Sequence, residues 1–392
     1  MPESGQRARV QLVYFEAGGG HAAAARALAA VLAERAPHLE LTLLNLQELL
    51  DPVDFVRRAT GIRLQDAYNL LLAREWTWGF DVLVRVLRLA IALHRREIEG
   101  ALRAHWGASR PDLVVSLIPH FNPALLHSLR AACPGARVAV VITDFADTPP
   151  GFWLSAVADR VFCGTAEAVR QAQAAGYPPQ AITATSGMVL RPAFYAPPPP
   201  GDAAARQAMR LRLHLDPDAP TALVLLGGAG SRHLVTIAER LERLPGPLQL
   251  ILLCGRDQAA VERLRALRHR HPWWIEGFTE QVPDFMRAAD VFIGKPGPGA
   301  ITEAAAMQLP AIVLRNLATM PQERFNAVWL EQHGLGVAIP SWRRVDRAVA
   351  ALLAPGRLAA LRAHAAARPN RAVFEVAEEL ATMAIRAPAD ER

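Results

Sequence analysis

Short apolar runs alternate with helical segments along most of this 392-residue chain, and this rhythm constrains the fold more than any other feature. In the first half, the pattern predicts strands at about residues 10–15, 41–46, 113–117, 138–142 and 161–163. In the second half, it predicts strands at about 222–226, 248–254, 274–278, 290–294 and 311–314. Such alternation is typical of an α/β fold, in which helices cover both faces of a parallel sheet.

A run of four prolines, Pro197 to Pro200, separates the two halves. Because such a run cannot continue a helix or a central strand, we place a domain boundary there. The expected domains are residues 1–195 and 202–392, joined by a linker at 196–201, with a terminal helix at about 373–385 in the second domain. A long insert at about 51–107, which contains Trp76, Trp78 and Trp106, interrupts the first domain.

Composition says more about the cellular compartment of this protein than about its chemistry. Of 43 Lys and Arg residues, only Lys295 is a lysine, and the formal net charge is +6. Cys133, Cys163 and Cys254 lie far apart and form no C-x-x-C pair, which favours buried thiols in a reducing compartment. The N-terminus lacks the apolar run of a signal peptide, and no apolar stretch is long enough to span a membrane. We therefore expect a cytoplasmic protein.

Each half opens with a strand that ends in a glycine-rich turn before a helix. The first turn is Gly18-Gly19-Gly20-His21, and the second is Gly227-Gly228-Ala229-Gly230-Ser231. Glycines let a ligand approach the backbone, and a helix N-terminus attracts phosphate. The first turn is not G-x-G-x-x-G, which counts against a dinucleotide site. His21 could act as a general base, and the alternative is that it is simply a polar residue at a helix start. For the second segment, the alternative to a phosphate site is a tight turn with no ligand.

The segment from Gly294 to Glu303 is the most informative in the second half. Its glycines and prolines predict a loop that offers an anion-binding nest before a helix starting at Thr302. Glu303, expected in the first helical turn, could bind ribose hydroxyls or complement the helix dipole. The only lysine of the chain, Lys295, lies in this loop, where an ammonium group suits an anion.

Other polar residues also follow predicted strands. Gln322, Glu323 and Asn326 could hydrogen-bond sugar hydroxyls, or could form a polar helix start. In the first half, Asp144 and His120 follow strands at the edge where ligands of parallel sheets bind. Asp144 is therefore a functional candidate. For His120, the alternative is a loop histidine whose hydrogen bonds are made by neighbouring residues.

Together these segments resemble monogalactosyldiacylglycerol synthases and related processive diacylglycerol glycosyltransferases of glycosyltransferase family 28 type. The matching segments, in order, are Phe15–His21, Gly277–Thr279, Val282–Met286, Lys295–Glu303 and Pro321–Asn326. They also resemble the lipid-linked N-acetylglucosamine transferase of peptidoglycan synthesis. The resemblance implies a GT-B fold, in which two Rossmann-like parallel-sheet domains face a cleft. One departure is that Phe145, rather than a histidine, follows Thr143-Asp144, which leaves the acceptor more open than the donor.

The resemblance also implies roles for individual residues. In the acceptor-binding first domain, the catalytic residues would be His21 and Asp144, with Gly19, Gly20 and His120 on the acceptor side. In the second domain, the UDP-sugar would be bound by Gly228, Gly230, Ser231, Phe278, Lys295, Gly297, Gly299, Glu303, Gln322 and Glu323. Among these, the glycine turn and Ser231 would face the diphosphate, Phe278 the uracil and Glu303 the ribose.

The implied reaction moves galactose or glucose from a UDP-sugar to a lipid acceptor, diacylglycerol, by single displacement. No D-x-D run or metal-ligand spacing occurs, so we expect no metal and no cofactor besides the donor. The alternatives are N-acetylglucosamine transfer to another lipid-linked acceptor, a GT-B-fold nucleotide-sugar epimerase, and a non-catalytic nucleotide-sugar binder.

The insert predicts a further partner. Val82 to Leu93 is apolar with Arg85 and Arg88 interspersed, which favours peripheral contact with an anionic membrane surface at the inner face of the cell membrane. A helix packed in the domain core is the alternative. No basic patch interleaved with aromatic residues is evident, so no nucleic-acid partner is expected.

Overall fold

The structure, a computed structural model, describes residues 7–16, 19–73, 80–195, 203–317 and 319–385, without the side chains at positions 72, 73, 80 and 81. The chain divides into two compact units. The first unit is Met1–Pro192 with Arg371–Arg392, and the second is Ala193–Asn370. The four-proline run, Trp76 and Trp78 lie outside the described residues.

The first unit is built on a parallel sheet of six described strands, in the order β2-β1-β3-β4-β5-β6. The strands are β1 (Arg9–Tyr14), β2 (Glu40–Asn45), β3 (Leu113–Ser116), β4 (Arg137–Val141), β5 (Arg160–Cys163) and β6 (Ile182–Ala184). The helices are α1 (Gly20–Arg35), α2 (Leu46–Leu50), α3 (Phe55–Thr60), α4 (Leu64–Ala73), α5 (Phe80–Leu93), α6 (Arg95–Ser109), α7 (Asn122–Ala132) and α8 (Ala166–Ala174).

The second unit has the same plan, with six described parallel strands in the order β12-β11-β10-β7-β8-β9. The strands are β7 (Thr221–Leu225), β8 (Gln249–Leu253), β9 (Trp273–Glu276), β10 (Val291–Gly294), β11 (Ala311–Leu314) and β12 (Gly336–Ile339). The helices are α9 (Ala203–Arg212), α10 (His233–Leu241), α11 (Gln258–Ala266), α12 (Val282–Ala288), α13 (Pro298–Ala306), α14 (Pro321–Gln332), α15 (Val345–Leu352) and α16 (Arg357–Ala366); the last helix of the chain, in the first unit, is α17 (Ala372–Ile385).

The order of the strands tells where each unit can bind a ligand. In the first sheet the direction of strand addition reverses between β1 and β3, and in the second sheet it reverses between β7 and β10. Open parallel sheets bind ligands outside the carboxyl ends of the strands at such a point, because the following loops diverge there. The glycine turn after β1 and those after β7 and β10 all lie at these positions.

The insert forms helices α3 to α6, and parts of it contribute to the core of the first unit. Trp106, on α6, is fully buried and donates its indole N–H to Ser128 Oγ at 2.9 Å. Of the three tryptophans of the insert, Trp106 therefore has a packing role. On α5, Val84 and Ile91 are buried, whereas Val86, Leu89 and Leu93 are 57%, 61% and 74% exposed.

The terminal helix differs from the sequence expectation, which assigned it to the second domain. Helix α17 packs on α1 and buries Val373, Val376 and Leu380 within the first unit. The Arg160 guanidinium pairs with Glu379 at 2.9 Å, which fixes the helix to the first sheet. The chain therefore returns to the first unit after residue 370, because the apolar face of this helix finds its partner surface there.

Two of the three cysteines are buried thiols, as their apolar surroundings predict. Burial raises the pKa of Cys163 to about 12 and that of Cys254 to about 11, so both stay protonated and unreactive near neutral pH. Cys133 is only partly buried, and burial raises its pKa as well.

Candidate functional site

The turn between β1 and α1 presents open backbone. Gly19 is the residue before the first helical position and adopts φ +83°, a left-handed conformation that costs other residues strain. Gly19 and Gly20 are exposed, and a Cβ atom on either would meet nothing within 4 Å among the described residues. The predicted acceptor-side glycines therefore leave room for a ligand beside the helix start.

His21 lies in the first turn of α1 and is held by a neighbouring strand end. Its Nδ1 atom is 2.9 Å from Thr143 Oγ1, just after β4. Burial lowers the pKa of His21 to about 4, although a hydrogen bond to the Leu117 carbonyl partly opposes this effect. The imidazole is therefore neutral near pH 7. A neutral imidazole has one ring nitrogen without a proton, and that nitrogen is the atom that can take a proton from a bound hydroxyl.

Asp144 is buried beside His21 but is bound by a tryptophan. The indole N–H of Trp153 donates to Asp144 Oδ2 at 2.8 Å, and the Trp153 ring lies 5.6 Å from the His21 ring, centre to centre. Burial raises the pKa of Asp144 to about 6, and the nearby Asp147 carboxylate adds to the rise, against the Trp153 hydrogen bond. In the described part of the chain, Thr143 rather than Asp144 orients His21.

Replacement of Asp144 by asparagine is expected to stabilise the fold at pH 7.5 by about 1–3 kcal/mol. The pKa of about 6 in the folded protein lies above the ordinary 3.8, so the folded state favours the protonated acid. Stability is thus lost as the pH rises through about 6, and the neutral amide of the variant carries no such penalty. Urea denaturation at pH 7.5 and near pH 4 measures this gain, which should vanish at the lower pH. A loss of activity in the stabilised variant would assign Asp144 a functional role.

The Asp147 carboxylate stabilises the loop from Asp147 to Trp153 through hydrogen bonds to backbone amides. Asp147 accepts the amide N–H groups of Gly151 at 2.7 Å and Trp153 at 2.5 Å. The buried Asn122 side chain donates to the Trp153 carbonyl at 2.8 Å. These bonds fix the position of the Trp153 ring, which contacts the His21 region.

His120 follows β3 and packs against the same loop. It adopts φ +66°, and its amide N–H donates to the Phe152 carbonyl at 2.8 Å. Its ring meets Phe152 edge to face, with 4.4 Å between ring centres. Burial lowers the pKa of His120 to about 3, helped by the Arg88 charge, so the ring is neutral. A left-handed non-glycine residue at a strand end is an uncommon and strained feature of the kind found at binding sites.

In the second unit, the turn after β7 is closely packed against the turn after β8. Gly230 has φ +85°, and a Cβ atom there would lie 2.4 Å from the Asp257 Cβ and 2.6 Å from the Cys254 carbonyl oxygen. The Arg256 amide donates to the Gly228 carbonyl at 3.0 Å. Ser231 is buried, and its Oγ accepts the His233 amide at the start of α10. Only glycine fits this contact, which holds the candidate phosphate-binding turn in place.

Phe278 stands beside that turn as an exposed aromatic side chain. It is 55% exposed, and its ring edge lies 4.0 Å from where a Cβ on Gly228 would be. The Arg256 guanidinium lies over the ring at 4.9 Å from its centre. A flat ring capped by a cation next to a glycine turn can contact a planar base and its phosphates.

The turn after β10 is shorter than the sequence suggested. Helix α13 begins at Pro298, because proline suits the first position of a helix, where no amide is needed. Glu303 is therefore the sixth residue of the helix, and the prediction that it lies in the first turn is wrong. A first-turn position therefore supports neither a ribose contact nor dipole compensation by Glu303. Gly299, in that first turn, faces open space.

Helix α14 brings polar side chains against the same turn. The Glu323 carboxylate lies 3.5 Å from the position of a Cβ on Gly297, and the buried Asn326 amide donates to the Pro296 carbonyl at 2.8 Å. Gln322 is buried at the start of the helix, and Lys295 is half-buried. The structure thus gathers Lys295, Gly297 and Glu323 at the carboxyl end of the second sheet.

Sequence reasoning missed two residues that the geometry brings forward. Thr143 was noticed only as the start of Thr143-Asp144, yet its hydroxyl contacts His21. Arg256 is not among the predicted site residues, yet it caps Phe278. The available signal was weak: each is a polar residue that follows a strand near a predicted site. Each contact joins residues more than 20 positions apart, so the local sequence does not reveal the partner.

Part of the second unit matches a known protein family. Residues 221–379 match the glycosyltransferase family 28 C-terminal domain. The chain is therefore a glycosyltransferase with a GT-B fold, and the predicted fold class and enzyme class, a UDP-sugar-dependent glycosyltransferase, are confirmed.

Relatives extend the likeness over the first unit. A probable chloroplastic monogalactosyldiacylglycerol synthase of Nicotiana tabacum is 26% identical, over 96% of this chain and 71% of its own length. The chloroplastic monogalactosyldiacylglycerol synthase of Spinacia oleracea is also 26% identical, over 97% of this chain and 73% of its own length. The crystal structure of Acinetobacter baumannii MurG superposes with a TM-score of 0.65 at 15% identity, covering 96% of this chain and all of that one. The predicted resemblance to galactolipid synthases is confirmed.

Proposed function

We propose that this enzyme transfers galactose from UDP-galactose to diacylglycerol at a membrane surface. The observation that carries the proposal is the similarity to monogalactosyldiacylglycerol synthases over 96–97% of the chain, which includes the first unit as well as the family 28 domain. The resemblance implies that the first unit binds the acceptor. A likeness restricted to the second unit would have supported only a sugar-nucleotide donor.

The proposed chemistry divides between the two units. The unprotonated ring nitrogen of His21 takes the proton of the acceptor hydroxyl as that oxygen attacks the anomeric carbon, and the bond to the UDP oxygen breaks. Backbone N–H groups of the turn at 227–231, the N-terminus of α13 and the Lys295 ammonium stabilise the negative charge that forms on UDP. Phe278 and Arg256 hold the base, and Gln322 and Glu323 bind the sugar. A single displacement of this kind inverts the anomeric configuration.

The exposed face of α5 supports a lipid acceptor. Val82, Val86, Leu89 and Leu93 repeat at helical spacing and are all more than half exposed, while Val84 and Ile91 on the other side are buried. Arg85, Arg95 and Arg96 are exposed near this row. Apolar side chains flanked by arginines suit insertion at a headgroup boundary. None of the described helices is long and apolar enough to cross a bilayer. We therefore propose peripheral attachment, at the inner face of the cell membrane.

A donor screen tests the proposed reaction. The full chain is incubated with UDP-galactose, UDP-glucose or UDP-N-acetylglucosamine and with vesicles that contain diacylglycerol, and UDP release and glycolipid are both measured. Galactolipid formation with UDP-galactose is the expected result. No glycolipid with any hexose donor would refute the proposal, and transfer from UDP-N-acetylglucosamine or epimerised free donor would point to the other two enzyme classes.

The double substitution Val86→Asp with Leu89→Asp is expected to weaken vesicle binding by at least about tenfold. Each exposed apolar side chain that enters the acyl boundary contributes roughly 1.5–3 kcal/mol. Flotation with anionic vesicles measures the change. The matched control is Leu211→Asp, which removes a 59%-exposed leucine from α9 and should leave binding unaltered. Equal binding by both variants would exclude α5 as the lipid contact.

A further inference from the structure

One side chain of α5 connects the exposed lipid-facing helix to the acceptor side of the site. Arg88 lies on the side of α5 away from Val86 and Leu89 and is half-buried. Its guanidinium donates to the Pro150 carbonyl at 3.0 Å and to the Pro149 carbonyl at 3.3 Å. One rigid, planar group thus bonds two consecutive carbonyls, which fixes both distance and orientation.

The loop that Arg88 contacts is the one that holds Trp153. Asp147 binds the amides of Gly151 and Trp153, so the loop from 147 to 153 moves as one piece. Pro149 and Pro150 have no backbone N–H, so their carbonyl oxygens are the backbone groups that can bond a side chain, and Arg88 donates to both. Two hydrogen bonds from Arg88 therefore join α5 to this loop.

From the loop, contacts reach the proposed base. Trp153 donates to Asp144 at 2.8 Å, and its ring lies 5.6 Å from the ring of His21. Phe152, one residue earlier, accepts the His120 amide at 2.8 Å and packs on the His120 ring. The same loop thus contacts both histidines, His21 and His120, that the resemblance assigns to the acceptor side.

We propose that Arg88 is a positioning residue that couples docking of α5 on a lipid surface to the loop at 147–153, so that membrane binding orders the acceptor side of the site. This coupling rests on the proposed lipid-dependent function. It assigns to α5 a second task besides anchoring, and it predicts an enzyme that turns over faster when bound to a vesicle than when free.

The test uses Arg88→Gln and the matched control Arg85→Gln. Both remove one positive charge from α5. Arg85 flanks the exposed row, so Arg85→Gln should lose at least as much vesicle binding as Arg88→Gln, as measured by flotation on phosphatidylcholine–phosphatidylglycerol vesicles. Only Arg88→Gln should lose turnover of the bound enzyme, by about tenfold or more in kcat with little change in KM, because the loop is misplaced. Arg88→Lys, with a single point donor, should restore part of the rate.

Hydrogen exchange gives a readout that does not depend on activity. Anionic vesicles should slow exchange of the amides in residues 147–154 of the wild-type chain at least about threefold, and should leave that exchange unchanged in Arg88→Gln. Equal responses in Arg88→Gln and Arg85→Gln, or a wild-type loop that ignores vesicles, would overturn the coupling. No vesicle binding by the wild type would overturn it together with the α5 contact. A responsive loop without galactolipid formation would refute only the proposed reaction.

Discussion

Replacing His21 by alanine is expected to lower kcat by about 10²–10⁴-fold, the usual contribution of a positioned general base. The His21 ring is held at 2.9 Å from Thr143 Oγ1, and its lowered pKa keeps it neutral and able to accept a proton. Initial rates of UDP release with saturating donor and acceptor measure the loss. A variant with near-normal kcat and an unchanged unfolding transition would remove His21 from the mechanism.

The pH dependence separates His21 from Asp144. If neutral His21 is the only requirement, kcat/KM should stay level from about pH 8 to about pH 5 and fall as the pH approaches its pKa of about 4. If Asp144 must also be ionised, activity should already decline as the pH falls through about 6. Thr143→Val serves as the control for positioning, and it should reduce kcat less than His21→Ala does.

Gly230→Ala is expected to destabilise the second unit by about 2–5 kcal/mol and to abolish donor binding. The left-handed φ of +85° costs an alanine about 1–2 kcal/mol. The new Cβ would also overlap Asp257 and the Cys254 carbonyl at 2.4 and 2.6 Å, which forces the two turns apart at a further cost of about 1–3 kcal/mol. Urea denaturation and titration with UDP measure the two effects.

The matched control is Gly246→Ala. Gly246 has a similar φ of +88°, but in the part of the chain that the structure describes a Cβ there would meet nothing within 4 Å. This variant should lose only the conformational part, about 1–2 kcal/mol, and should bind UDP normally. If the two variants are equally stable, the close packing of the turns after β7 and β8 does not constrain the donor site.

The sequence predicted ten of the twelve described strands and the glycine turns to within a few residues, because buried parallel strands are continuous apolar runs. The edge strands β6 and β12 were missed, since Ile182–Ala184 has only three residues and Gly336–Ile339 only four. The start of α13 was placed four residues late, because Gly and Pro were taken as loop residues when Pro298 in fact opens the helix.

The sequence by itself determined that this chain forms two parallel-sheet units with glycine turns at the carboxyl ends of their first strands, since these features depend on local periodicity and backbone freedom. Only the tertiary structure decided that Thr143 holds His21, that Trp153 holds Asp144 and that Arg88 bonds the loop at 147–153. It also decided that α17 joins the first unit. Each of these contacts joins residues distant in the chain, and nothing in the local pattern of one partner specifies the other.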